Sequence, residues 1–269
     1  MSSILFEVRD SIAHITLNRP EKYNAFNREM ALLLQEHLDE CAADSGIRCV
    51  YLTGAGKAFS AGQDLDEVVD PNGPDVTAIL SEHYNPIVKR LRRLEKPVVA
   101  AVNGVAAGAG ANIALCCDVV LAAKSASFIQ AFSKIGLIPD SGGTFFLPRL
   151  IGFQKASALF MLGDKVGAEE AERLGMVYKV LADESFHAES MQVAATLAAM
   201  PTRGLALTKM ALNNSMGNHY EDQLHDEELL QEKAGSTSDY KEGKAGSTSD
   251  YKEGVQAFLG KRKPIFKGN

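Results

Sequence analysis

KPVVAAVNGVAAGAGANIALCCDVVLAAKSASFIQAFSKIGLIPDSGGT, residues 96–144, decides how the chain is read. PVVAAV and DVVLAA are apolar runs rich in valine, the pattern of strands buried on both faces. Between them a turn rich in glycine and alanine leads into an apolar segment of helical character. A strand, a crossover and a second strand of this kind imply a layered α/β fold. Glycines at this density let backbone approach a ligand closely and leave amides free at a helix start. After the second run comes a polar elbow, Pro139-Asp140-Ser141-Gly142-Gly143. The stretch predicts a pocket that stabilises an anion, with one carboxylate, Asp140, facing into it.

Toward the N-terminus, residues 3–17 read as two strands joined by a short turn around Asp10-Ser11, ended by Asn18-Arg19-Pro20. Met30, Leu33, Leu34, Leu38 and Cys41 recur at helical spacing over 28–43, with Asn27 as N-cap. The same helix carries His37 on its predicted surface face. CVYLTG is a short strand ending at Gly54, and the following AGKAFSAGQDLDEV predicts a backbone turn that presents amides. Residues 66–77 are polar and twice broken by proline, so they predict a mobile loop near the site. A helix is expected over 78–94. Its closing cations Lys89, Arg90, Arg92 and Arg93 read as a solvated face or as a phosphate contact.

Toward the C-terminus, further helices and one strand, MVYKVL, are expected, then helix over 184–216 interrupted at Met200-Pro201. No linker-like tract divides the chain. KAGSTSDYKEG occurs twice in tandem, at 233–243 and 244–254. An identical copy reads as a local duplication rather than a repeat fold. Eleven residues make three helical turns plus about 20°, so a helix can absorb the copy, and its glycines and serines equally permit a looped-out bulge.

Composition narrows the function. A chain of 269 residues, 46% hydrophobic, can bury a large core. A formal charge of −6 and a pI near 5.6 argue against a broad basic face for nucleic acid, leave room for a local basic cluster that holds a phosphate, and favour a small-molecule partner. Cys41, Cys49, Cys116 and Cys117 form neither a metal knuckle nor a disulfide framework, so buried thiols are expected. The histidines are unclustered, and no metal site is expected. GAGANI lacks the third glycine of a dinucleotide turn and no acid follows at the ribose-binding distance, so no nicotinamide cofactor is expected. MSSILFEVRD lacks a basic segment followed by a long apolar one, and no apolar run reaches the roughly 18 residues that span a bilayer. The expectation is a cytoplasmic protein with no membrane partner.

LNRPEKYNAFN, GKAFSAGQDL, residues 96–122, FSKIGLIPDSGGTFFLPRLIG and AEEAERLGMVYKV occur in an order that resembles the crotonase (enoyl-CoA hydratase/isomerase) superfamily over nearly the whole chain. The resemblance implies a crotonase-type spiral of ββα units in a core of residues 1–200. It also implies a helical C-terminal part, 201–269, through which the chain forms a homo-oligomer, a trimer or dimer of trimers. It implies a coenzyme A thioester as substrate and no separate cofactor. The thioester oxygen would lie between the amides of Gln63 and Ala109. Lys22, Ala25, Arg28, Ala61, Gln63 and Asp64 would line the coenzyme A, with Lys261 reaching a neighbouring subunit's ligand. For KRKPIFK a solubilising tail is the other reading.

Hydratases of this kind carry two glutamates that activate water, and their positions are occupied here by Asn112 and Phe132, neither of which can act as a base. An acid stands instead at Asp140. On residue type alone Asp140 reads as an N-cap; the resemblance makes it the proton carrier, with Ser141 left to cap. Asn112 is either a polar contact in the site or only a helix residue. IPDSGGT with GVAAGAGANIAL resembles the ring-1,2-epoxyphenylacetyl-CoA isomerase branch. That implies conversion of the epoxide to the oxepin and a Δ3-to-Δ2 double-bond shift. A hydratase-like enzyme of other acyl specificity, or a non-catalytic acyl-CoA- or RNA-binding relative, is the alternative.

Overall fold

The computed structural model describes residues 2–235 and 249–268. The first strands, β1 (Ile4–Arg9) and β2 (Ile12–Leu17), form an antiparallel hairpin. Asp10 and Ser11 make its turn with φ of 51° and 60°, a left-handed pair that follows the strands' twist. α1 (Arg28–Ala43) comes next, and the Asn27 side chain caps it by accepting from the Met30 amide at 3.0 Å.

Strands then come in pairs: β3 (Cys49–Gly54) with β4 (Ala58–Ser60), β5 (Val98–Val102) with β6 (Val105–Ala107), and β7 (Val119–Ala123) with β8 (Ser127–Ile129). The first member of each pair joins one sheet, ordered β1-β2-β3-β5-β7-β10, and the second joins another, ordered β4-β6-β8-β9. β9 (Lys165–Gly167) and β10 (Lys179–Leu181) complete the two sheets. α2 (Leu65–Val69), α3 (Val76–Ala78) and α4 (Asn85–Arg93) follow the first pair, and α5 (Ala109–Leu115) follows the second. α6 (Gly143–Ile151) and α7 (Phe153–Leu162) follow the third. The chain is thus a spiral of ββα units. From β2 to β10 the larger sheet is parallel, which requires the crossovers. β5 is buried along its whole length, as its uninterrupted apolar run predicts. Gly104 turns the chain from β5 into β6, where a side chain would stand 2.1 Å from the Lys57 carbonyl oxygen.

α8 (Ala168–Arg173) precedes β10, and after β10 the chain is a helical run of α9 (Phe186–Ala199), α10 (Thr202–Ser215), α11 (Tyr220–Gly235) and α12 (Ser249–Leu259). Asp118 ties it to the core by accepting from Lys209 at 2.7 Å, from Arg92 at 3.2 Å and from the Val98 amide at 2.8 Å. Removing any one partner would leave charge in a poorly hydrated place.

Several local expectations change. The helix expected over 78–94 is α3, a π-helical turn (Ile79–Tyr84) and α4, and the loop expected at 66–77 carries most of α2. His37 is half-buried rather than on the surface, stacked on Phe6 with ring centroids 4.4 Å apart. All four cysteines are buried and unpaired, and burial pushes the Cys41 and Cys49 thiols up to about 12. Residues 233–235 of the first KAGSTSDYKEG copy close α11, and 249–254 of the second open α12. Whether the copy is absorbed or looped out is decided within 236–248, outside the described residues. Among the described residues no helix is long and apolar enough to cross a membrane.

Candidate active site

Two turns, each following a strand of the smaller sheet, lie against each other. Ser60 closes β4 fully buried; its hydroxyl donates to the Asn24 carbonyl at 2.8 Å and accepts from the Gly62 amide at 3.2 Å. The Phe26 amide donates to Gly62 O at 2.6 Å, and the Asp64 amide donates to Phe26 O at 2.8 Å. Phe26 thus brackets Gln63 in a parallel bridge, and the alternation of a ladder turns the Gln63 N–H to the opposite side. The second turn is Gly108 and Ala109, which start α5. Gly62 must be glycine: its φ is +89°, and a side chain would stand 2.8 Å from Ala107 O and 3.4 Å from the Ala109 nitrogen. Neither the Gln63 nor the Ala109 N–H has an acceptor among the described residues. The pair forms a concentration of unspent donors, with the α5 dipole adding to one of them.

The elbow supplies a carboxyl group. The Asp140 carbonyl accepts from the Gly143 amide at 2.8 Å and from Asn112 Nδ2 at 2.9 Å, while Asn112 Oδ1 accepts from Gln130 Nε2 at 2.8 Å. Asn112 and Gln130 are each 1% exposed, so this chain of amides is internal. The Ser141 hydroxyl donates to Asp140 Oδ1 at 2.8 Å. Burial nonetheless raises the Asp140 carboxyl to about 6, against smaller downward pulls from Ser141 and from its own backbone. A carboxylate with that value is ionised near neutral pH yet basic enough to take a proton. Both capping readings fail: Gly142 is the N-cap of α6, and no side chain caps it. Phe132 is buried, with its ring tip 3.6 Å from where a Gly108 side chain would begin, so an apolar edge lines the approach to Ala109.

The residues expected along coenzyme A divide into a connected group and an outlier. Lys22 pairs with Asp66 at 2.5 Å, and Asp64 pairs with Arg19 at 2.7 Å while capping α2 through the Asp66 amide. The Ala25 carbonyl accepts from Arg19, and the Ala61 amide donates to Tyr23 O at 2.9 Å. Arg28 opens α1 with its guanidinium on Glu82 and His83. These contacts draw 19–28 and 61–66 into one surface beside Gln63. Lys261 stands in the turn after α12 at φ +49°, and no contact among the described residues joins it to that surface.

The match with known proteins fits this geometry. A family model described as enoyl-CoA hydratase/isomerase matches residues 7–269. The chain belongs to the enoyl-CoA hydratase/isomerase family. The 1,2-epoxyphenylacetyl-CoA isomerase of Escherichia coli K12 is 48% identical, covering 100% of this chain and 99% of its own. A Rhodobacter capsulatus protein named "Probable enoyl-CoA hydratase" is 41% identical over 99% of this chain and 98% of its own. The crystal structure of an enoyl-CoA hydratase from Bacillus anthracis superposes with a TM-score of 0.87 at 31% identity, covering 99% of this chain and 100% of that one. The spiral of ββα units is therefore the crotonase fold, and the protein is an enzyme of a family that acts on acyl-CoA.

Sequence reasoning missed Gln130 and Tyr84. Gln130 follows a three-residue strand too short to show periodicity. Tyr84 ends the π-helical turn fully buried, and burial, with the Asp140 charge next in weight, holds its phenol well above the ordinary value. No local pattern marks either residue.

Proposed function

We propose that the protein is an acyl-CoA isomerase that works through a thioester enolate. The Asp140 carboxylate takes a proton from the carbon next to the thioester carbonyl. The electron pair moves onto the carbonyl oxygen, where the Gln63 and Ala109 N–H groups meet it. Asp140 then returns the proton further along the chain, so a Δ3 double bond becomes Δ2 with no net change in atoms. The same pair of groups suits ring opening of 1,2-epoxyphenylacetyl-CoA to the oxepin, in keeping with the similarity to the Escherichia coli isomerase. The observation that carries this reading is one carboxyl raised to about 6 with no second acid at Asn112 or Phe132 to activate water. Asn112, whose side chain is spent on Asp140 O and Gln130, holds the elbow rather than touching substrate.

Lys22, Ala25, Arg28, Ala61 and Asp64 would carry the coenzyme A, and the C-terminal part would build a homo-oligomer with Lys261 near a neighbouring subunit's ligand. Exposed Phe153, Met161, Phe258 and Leu259, each 75% exposed or more, suit such an assembly.

The test offers the parent and Asp140→Asn a panel of acyl-CoA esters that includes a Δ3-enoyl-CoA and epoxidised phenylacetyl-CoA. The parent turns over at least one of these two and the variant nearly none, with coenzyme A binding unchanged. Equal activity in the variant removes Asp140 from the mechanism. A parent that binds acyl-CoA esters and converts none is a scaffold.

A further inference from the structure

Gln63 is held by more than its backbone. Its side-chain oxygen accepts from the Tyr84 hydroxyl at 2.8 Å, and its side-chain nitrogen donates to Glu67 Oε2 at 2.8 Å. Glu67 Oε1 in turn accepts from the Arg28 amide at 2.8 Å. One line of hydrogen bonds therefore runs from the π-helical turn through Gln63 and α2 to the first residue of α1. Its far end is fixed as well. Tyr84 is fully buried and meets Phe26 edge-on, with ring centroids 6.0 Å apart and an interplanar angle of 70°. Phe26 is the residue whose backbone brackets Gln63.

The wide turn that delivers Tyr84 is itself pinned. π-helical geometry leaves carbonyls poorly paired and persists where tertiary contacts favour it. Here the buried Gln35 side chain donates to the Glu82 carbonyl at 2.7 Å and to the His83 carbonyl at 3.3 Å. α1 thus holds the turn, the turn holds Tyr84, and Tyr84 holds Gln63. With both ends of the side chain held, the Gln63 backbone N–H still has no acceptor among the described residues. A donor aimed in advance is what makes an anion site effective, since nothing has to reorganise as charge appears.

We propose that Tyr84 is a positioning residue that fixes the Gln63 amide toward the thioester oxygen, a role that rests on the enolate reading above. The phenol stays protonated, and so stays a donor, across the neutral range because burial holds its pKa well above the ordinary value. The contribution of Tyr84 appears where the thioester oxygen carries charge and is absent where the ligand is neutral.

The test uses acetoacetyl-CoA, whose bound enolate is read by its ultraviolet absorbance across a pH titration. Turnover is not needed, so the readout separates this inference from the isomerase assignment. The parent shifts the ligand toward the enolate. Tyr84→Phe, which keeps the ring, weakens that shift about tenfold in ionisation constant, Gln63→Met does the same, and the double variant is no worse than either single one. Affinity for coenzyme A itself stays near the parent's in both variants, and a lower Tm in Gln63→Met reports only the buried Tyr84 hydroxyl left without its acceptor. Enolate stabilisation by Tyr84→Phe equal to the parent's, or losses that add in the double variant, overturn the inference. A parent that does not favour the enolate at all overturns the enolate reading and this inference with it.

Discussion

The two sides of the site are built by different means. The amide side, Gln63 and Ala109, uses backbone groups, and its demand on sequence falls mainly on the glycines that let the two turns touch, Gly62 above all. The acid side, Asp140, uses a side chain, and it depends on the internal amides of Asn112 and Gln130 to hold the elbow. On the proposed enolate reading, a site of this design can change its chemistry by exchanging the acid while keeping its backbone donors. Here a carboxamide, Asn112, and a phenyl ring, Phe132, stand where the resemblance to hydratases implies carboxylates, and the elbow carries an acid, Asp140.

This division predicts a graded set of losses. Asp140→Asn removes the only proposed proton carrier and lowers kcat by about 10³- to 10⁴-fold, at the upper end of general acid–base effects, with coenzyme A affinity retained. Gly62→Val places a side chain 2.8 Å from Ala107 O at a φ of +89°. It strains the backbone by about 1–3 kcal/mol, and kcat falls about 100-fold as the Gln63 donor moves out of line; steady-state kinetics with a thermal melt separate the two effects. Asn112→Leu leaves the Asp140 carbonyl only the Gly143 amide and deprives the buried Gln130 Nε2 of its acceptor. It costs about 2 kcal/mol in denaturant unfolding, and kcat falls about tenfold. A larger loss for Asn112→Leu than for Asp140→Asn would reverse the ranking and make the carboxamide the reacting group.

The smallest effect concerns stability and has the opposite sign. The Asp140 carboxyl rises from 3.8 to about 6 on folding, so the folded chain holds a proton that the unfolded chain has released. Stability from this group is fully present below the unfolded value and is lost as pH rises through about 6. Asp140→Asn, with no charge to bury, is therefore the more stable chain at neutral pH, on the order of 2 kcal/mol, and the gap closes in acid. Urea unfolding of both proteins at two pH values measures it.

Much of this was legible because the signals are long or chemically constrained. β5 and β7 are uninterrupted apolar runs, and Gly62 and Gly104 stand where only glycine fits. The smaller sheet was not legible, since each of its strands is three residues long and shows no period. The π-helical turn was read as ordinary helix because its geometry comes from Gln35 and Gln63, both distant in sequence. Asp140 was found as an acid out of place. Its raised pKa follows from burial, which only the folded chain supplies.

The central claim is that one carboxylate with a raised pKa moves the proton. It is tested most directly by the pH dependence of kcat/KM for a Δ3-enoyl-CoA. The account predicts activity that rises as a single group loses its proton near pH 6 and then stays level through neutrality. A flat profile across that range, or a rise centred near the ordinary carboxyl value of 3.8, would contradict it.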